Sequence, residues 1–474
     1  MMKHYPLLVN GEWVNTQEKI QVFDKYTKEP FAEVSKADEA IVHHAIDSAE
    51  VAFRENKLSA YERYTVLHQA ANQLEQEKEE MAQMIMMEAG KPIKHARAEV
   101  ERTIQTLIVS AEEAKRITGE GVPVEAAPGS ENRLAFTIRV PVGIVAAISP
   151  FNFPLNLVAH KIAPALAAGN TVILKPASKT PISAIKLARI LQDVGLPAGM
   201  LQVLPGSGAT VGDVLMRDER IALYTFTGST EVGLQLKQHT GLRKLILELG
   251  NNSPVIVDHD ADLEKASKAI AAQSFAYAGQ VCISVQRVYV HKKVKDAFLD
   301  KLLAQVEDLR VGDPSDPTTD VGPMIDDSEA ERAENWIQEA VNSGAKLVHG
   351  GTREGAFIEP TVITNVSSDM KVVCEEIFAP VVTVMEFENI KDCLNEVNRS
   401  GYGLQGAIFT QNINTAFYAA KHMEVGGLMV NDASSYRVDL MPYGGVKNSG
   451  TGKEGPKYTI KEMTEEKLIV WNLE

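Results

Sequence analysis

Three residues of types suited to carbonyl chemistry stand far apart in this chain of 474 residues. Cys282 closes Gly279-Gln280-Val281-Cys282 at the end of a helical stretch, and a cysteine there becomes a nucleophile when its surroundings favour the thiolate. Taken alone, it reads more readily as a small core residue, as Cys374 and Cys393 do. Glu248 ends the apolar run Leu245-Ile246-Leu247. Desolvation there would lift its pKa towards that of a working general base, unless it is a paired carboxylate at a strand end. Asn152 lies in Ser149-Pro150-Phe151-Asn152-Phe153-Pro154. The second proline can begin a helix and leave the amide as a fixed donor, although a turn asparagine is the plainer reading.

A second group of residues suits an anion. Pro205-Gly206-Ser207-Gly208-Ala209-Thr210-Val211-Gly212 follows a strand-like run and opens a helix. Phosphate-binding turns do the same, but the spacing misses G-x-G-x-x-G by one, so a bare turn fits better. The stretch from Thr225 to Gly233 repeats strand, tight turn and helix, and its Ser229 either meets a phosphate or caps the helix. Lys175 closes the run 171–174 before Pro176. It is either a solvated strand-end lysine or, at the carboxyl edge of a parallel sheet, a ribose or phosphate contact.

The elements that would hold these residues follow from hydrophobic period. Over 37–118 the pattern is helical, with Leu67, Ala70, Ala71 and Leu74 on one face and Gly90-Lys91-Pro92 as a stop. Residues 134–140 read as a strand in an excursion from the main fold, pairing with another segment or subunit. From Gly143 to Leu249 apolar runs at 144–148, 171–174, 201–204, 223–226 and 245–249 alternate with helices such as 181–194, which Gly195 closes. This is βαβ logic, hence a mostly parallel sheet. A second alternation over 262–431 predicts a second α/β domain, and 468–471 reads as an exposed strand.

Bulk properties narrow the classes. The length suggests two or three domains with ample core. The formal charge of −15 speaks against a nucleic-acid partner. Three cysteines in no metal-ligand spacing suit a reducing compartment and predict no metal. Neither a signal-peptide core nor a bilayer-length apolar run is seen, so no membrane association and a cytoplasmic location are expected.

Taken together and in order, the segments resemble the aldehyde dehydrogenase superfamily over essentially the whole chain. The most specific are Ser149 to Pro154, Phe226-Thr227-Gly228-Ser229-Thr230, Leu247-Glu248-Leu249-Gly250, Gly279 to Cys282, Glu375-Glu376-Ile377-Phe378-Ala379-Pro380, and Pro442-Tyr443-Gly444-Gly445-Val446-Lys447-Asn448-Ser449-Gly450. The resemblance implies an α/β fold in three parts. These are a Rossmann-like parallel-sheet dinucleotide-binding domain (1–124 and 143–248), an α/β catalytic domain (249–430) and a small β oligomerisation arm (125–142 and 455–474). It also implies a homodimer or homotetramer, and a mechanism in which Cys282 attacks the aldehyde, Asn152 and the Cys282 N–H hold the oxyanion, and Glu248 activates the water that hydrolyses the thioester. Glu376 and Phe378 match positions that orient the nicotinamide ribose and ring, Lys175 the adenine-ribose contact, and Gly208, Ser229 and Gly233 the turn and helix beside the pyrophosphate.

Two departures stand out. Many NAD-preferring relatives carry a glutamate three residues after the lysine, where this chain has Ser178. Losing that carboxylate removes repulsion of a 2′-phosphate, and a hydroxyl can donate to it, so NADP is expected to serve alongside or ahead of NAD. Asn251 replaces a commoner glycine after Gly250.

Within the superfamily the chain looks nearest the non-phosphorylating glyceraldehyde-3-phosphate and lactaldehyde dehydrogenase branch, which takes short, polar or anionic aldehydes. Arg102 and Arg437 match positions where phosphate-handling members bind their anion, with surface salt bridges as the competing reading. A third arginine of that clamp is Val281 here, which disfavours phosphate. An alternative activity is CoA-acylating, with a thiol resolving the thioester; a non-catalytic, crystallin-like role would require a disrupted site.

Overall fold

The computed structural model describes residues 2–55 and 57–473. Two parallel sheets organise it. The first has eight strands, in the order Gly450–Thr451, Lys244–Glu248, Ile221–Thr227, Ile144–Ile148, Thr171–Lys175, Leu201–Val203, Leu7–Val9, Glu12–Val14. The five from Lys244–Glu248 to Leu201–Val203 run parallel, and the flanking strands are antiparallel. Helices cover both faces, which is why these strands read as continuous apolar runs. Val145, Ala147, Val172 and Leu174 join the core beneath helices Ala60–Gln76, Ile93–Ala114, Asn156–Ala168 and Ile182–Asp193. Ile144, Ala146 and Ile173, pointing the other way, pack with helix Glu39–Glu55.

The second sheet has seven strands, ordered Lys346–His349, Thr361–Thr364, Val381–Phe387, Arg287–His291, Pro254–Val257, Gln405–Phe409, Gly427–Val430. All but the first run parallel. Thus the fold is α/β with two parallel-sheet units. The expected helix stops are present: Gly90 (φ 68°) and Gly195 (φ 93°) both take the left-handed conformation that glycine reaches without strain.

Strand Arg133–Pro141 pairs antiparallel with Thr464–Asn472, Pro141 opposite Thr464 and Arg133 opposite Asn472, and Gly121–Val122 adds on its other side. This three-stranded sheet therefore begins at Gly121, before the expected boundary at 125. Helix Pro456–Glu462 does not belong to it, because Ile460 and Met463 are buried in the core of the first unit. A further three-stranded sheet of Lys3–Tyr5, Pro30–Ser35 and Lys19–Phe23 had no counterpart in the hydrophobic pattern. No described helix is long and apolar enough to cross a membrane.

Candidate active site

The carboxyl ends of the parallel strands face the second unit across a cleft, the place where open α/β sheets expose loops to a ligand. Asn152 follows strand Ile144–Ile148, Ser229 follows Ile221–Thr227, Glu248 ends Lys244–Glu248 and Lys175 ends Thr171–Lys175. A cavity of about 390 Å³ lies in the cleft, lined by Asn152, Ser229, Gly250, Cys282, Glu376 and Phe378 among others.

Cys282 does not stand at a helix end. Helix Leu263–Phe275 stops earlier, and Tyr277 and Ala278, at φ 50° and 51°, swing the chain round in the left-handed region. Gly279 follows at φ 69°, where a Cβ would lie 2.1 Å from the Ala379 carbonyl oxygen, so only glycine fits. Cys282 is partly covered and opens on the cavity, with Sγ 2.9 Å from the Tyr443 hydroxyl. Burial pushes the thiol up to about 12, with Tyr443 and Arg437 pulling it down and the carboxylates of Glu376 and Glu248 adding to the rise.

Asn152 is buried beside it. Its amide donates to the Gln280 carbonyl at 2.9 Å, while its oxygen has no partner. Glu248 is also buried, and neither carboxylate oxygen has a partner, so the paired-carboxylate reading does not hold. Burial, and then the negative charge of Glu454, raise its carboxyl well above the ordinary range; Arg437, Lys161 and Lys453 oppose. Glu454 goes the other way. Burial would raise it, but Lys161 at 2.9 Å, His160 and Arg437 outweigh that and hold it low.

The two arginines differ. Arg102 makes a bidentate pair with Asp439 at 2.8 and 3.1 Å. Its fork is therefore occupied by a carboxylate of the same chain. Arg437 is buried, so the surface salt-bridge reading fails for it: its side chain is 6 % exposed and pairs with Glu454 at 3.3 Å. Its guanidinium lies 3.6 Å from the centroid of the Tyr443 ring, and its Nε has no partner.

On the cofactor side, Glu376 accepts the Asn251 N–H at 2.9 Å and is raised by burial to about 7. Phe378, at φ 50°, meets Phe151 edge to face at 6.0 Å. Lys175 is buried and lowered to about 8 by that burial. Its ammonium is 3.4 Å from the Pro176 carbonyl, a weak contact that leaves donors for a ligand. Ser229 caps helix Thr230–His239, accepting the Val232 N–H at 3.4 Å, and also lines the cavity, so the cap is made and the residue still borders the cavity. The group fits a dinucleotide: a buried lysine, a helix N-terminus and a cavity-facing carboxylate.

Three expected positions sit differently. The Ser178 hydroxyl donates to the Gly206 carbonyl at 3.0 Å, so its proton is already engaged. Gly208 opens a short π-helical turn, Gly208–Gly212, and is not among the residues lining the cavity. Gly233 packs against Leu249, where a Cβ would meet Cδ2 at 2.4 Å, which makes its local task close helix packing. The sequence reading missed Lys161 and Glu454, whose pairing spans 293 residues, and the part played by Tyr443, although it lies inside a motif already singled out.

Residues 13–469 match the model of the aldehyde dehydrogenase family. The chain is 57 % identical over 472 residues to a 3-sulfolactaldehyde dehydrogenase of Priestia aryabhattai, covering 100 % of this chain and 99 % of the relative. Among solved structures, aldehyde dehydrogenase 21 of Physcomitrella patens, in complex with the product succinate, superposes with TM-score 0.97 at 43 % identity, covering 100 % of this chain and 99 % of that one. The NADP-dependent glyceraldehyde-3-phosphate dehydrogenase of Bacillus halodurans, complexed with NADP, also gives TM-score 0.97, at 36 % identity and 100 % coverage of both chains. Sequence, fold and the residues gathered round the cavity agree, and the chain belongs to the aldehyde dehydrogenase family.

Proposed function

We propose that this NAD(P)-dependent aldehyde dehydrogenase oxidises a short hydroxyaldehyde with a distal anionic group, 3-sulfolactaldehyde foremost, to its carboxylic acid. The observation that carries the substrate class is Arg437: a buried guanidinium with an unpartnered Nε, stacked on the tyrosine that touches Cys282. An unsatisfied buried donor of that kind favours an anion. The identity to 3-sulfolactaldehyde dehydrogenase supports the same class. Arg102, tied to Asp439, has the lesser part.

In this reading the Cys282 thiolate adds to the aldehyde carbon, and the oxyanion takes N–H donors from Asn152 and the Cys282 backbone. The nicotinamide cofactor, when bound, supplies the two-electron oxidant. Lys175 and Ser229 would hold its ribose and phosphate region, and Glu376 and Phe378 would hold the nicotinamide end. Glu248, which has no partner, acts in its carboxylate form and takes a proton from the water that attacks the Cys282 thioester. With Ser178 turned towards Gly206, NADP is accommodated by the absence of a carboxylate and not by a bond from Ser178.

The exposed residues Leu134, Leu468, Val470 and Trp471 on the three-stranded sheet suit burial between subunits of a homodimer or homotetramer. Light scattering that finds a monomer would refute that. For the activity, an aldehyde panel with NAD, NADP and CoA varied is the test. Turnover is expected for 3-sulfolactaldehyde with the free acid as product. Preference for uncharged aldehydes would overturn the substrate class, and acyl-CoA as the main product would overturn hydrolysis.

A further inference from the structure

The corner of the cavity that holds Cys282 contains a chain of contacts that the thioester mechanism leaves without a task. The sulfur lies 2.9 Å from the Tyr443 hydroxyl. Tyr443 is buried and packs with Ile283 and Leu404, so its ring has little freedom to turn away. Over that ring, 3.6 Å from its centroid, sits the guanidinium of Arg437.

The direction of the hydrogen bond follows from chemistry. A thiol is a weak donor, whereas a phenol is a good donor and a thiolate a charged acceptor. Burial keeps the Tyr443 phenol well above its ordinary range, so its proton stays in place at any working pH. A cation on the ring face draws electron density from the hydroxyl and strengthens it as a donor.

We propose that Tyr443 donates a hydrogen bond to the Cys282 thiolate and relays to it the positive charge of Arg437, making Tyr443 a further catalytic residue. The part that concerns the free enzyme is independent of the substrate. The added consequence, that one arginine serves both the nucleophile and the anion of the aldehyde, rests on the substrate reading above. The groups acting on the sulfur are Tyr443 and Arg437, which favour the thiolate, and Glu376 and Glu248, which oppose it along with burial. Tyr443 and Arg437 are thus the groups that work against burial and the two carboxylates to bring the Cys282 thiol down.

The test is alkylation of the full-length protein by iodoacetamide, an uncharged reagent, from neutral to alkaline pH without aldehyde or cofactor, with each cysteine followed by peptide mass spectrometry. In Tyr443→Phe the midpoint of the Cys282 rate is expected to rise by about one pH unit, and the rate at neutral pH to fall roughly tenfold. Cys374, partly exposed, should react as before, and buried Cys393 should stay unreactive if the fold is intact. An unchanged Cys282 midpoint overturns the proposal. Should Cys393 become reactive, Arg437→Gln, which keeps the hydroxyl, decides: a smaller upward shift is expected, and none overturns the relay. Failure of the protein to oxidise anionic aldehydes would leave the alkylation result standing, so the two readings fail separately.

Discussion

Lys91 offers the sharpest test of how the segments carrying Asn152 and Cys282 are held together. Its ammonium is 2.5 Å from the Glu99 carboxylate, with both side chains fully buried. The other oxygen of Glu99 accepts the N–H groups of Leu155 and Asn156 at 3.0 and 3.1 Å, at the start of the helix that follows Asn152. The same ammonium lies 3.7 Å from the centroid of the Phe153 ring and 4.6 Å from that of Tyr277. One cation therefore ties the segment carrying Asn152 to the segment leading into Cys282. Lys91→Met keeps the stem and deletes the charge. Removing one partner of a buried pair costs about 3–5 kcal/mol, and because Glu99 keeps two N–H donors, the expectation is the lower end, roughly 3 kcal/mol. Loosening of the site by about 1 Å would lower kcat on the order of a hundredfold.

The assay is urea unfolding alongside steady-state kinetics for Lys91→Met, Glu99→Gln and the double variant. Without a buried unpaired charge, the double variant should be less destabilised than Lys91→Met, yet its kcat should remain low because the two rings still lack their shared cation. A stability loss below about 1 kcal/mol in Lys91→Met, or an unchanged kcat, would refute the clamp.

In Glu248→Gln the first turnover should run at its normal rate while steady-state turnover falls roughly a hundred- to ten-thousandfold, seen as a burst of reduced cofactor; an undiminished steady state removes Glu248 from the role of base. Glu248 is raised by burial and by the charge of Glu454, and the proposed deacylation needs its carboxylate, so activity is expected to be lost as pH falls through that raised pKa. Glu454→Gln removes the like charge and should move the acid limb of kcat down by about one unit; a limb that stays or moves up contradicts the coupling. Arg437→Gln should raise KM for an anionic aldehyde at least roughly tenfold and disturb an uncharged aldehyde of the same length much less, whereas equal rises would speak against an anion site.

What the sequence made legible was whatever depended on near neighbours or on period. The buried strands were readable because both of their faces are apolar, and the burial of Glu248 because it ends one of those strands. Cys282 was unreadable from its neighbours because its environment comes from Tyr443, 161 residues away, and from Asn152, whose amide reaches the Gln280 carbonyl across 128 residues. Only the register of six motifs joined them. Ser178 shows the opposite failure: its type suggested a phosphate donor, but the fold brings the Gly206 carbonyl within 3.0 Å and engages its proton. The N-terminal strands escaped because pieces as short as Lys3–Tyr5 and Leu7–Val9 are too brief to set a period. Residue type proposes chemistry, but the free valence decides it. Arg102 and Arg437 are alike in type, but a carboxylate takes two donors of one fork, while the other meets Glu454 through one nitrogen and leaves its Nε without a partner.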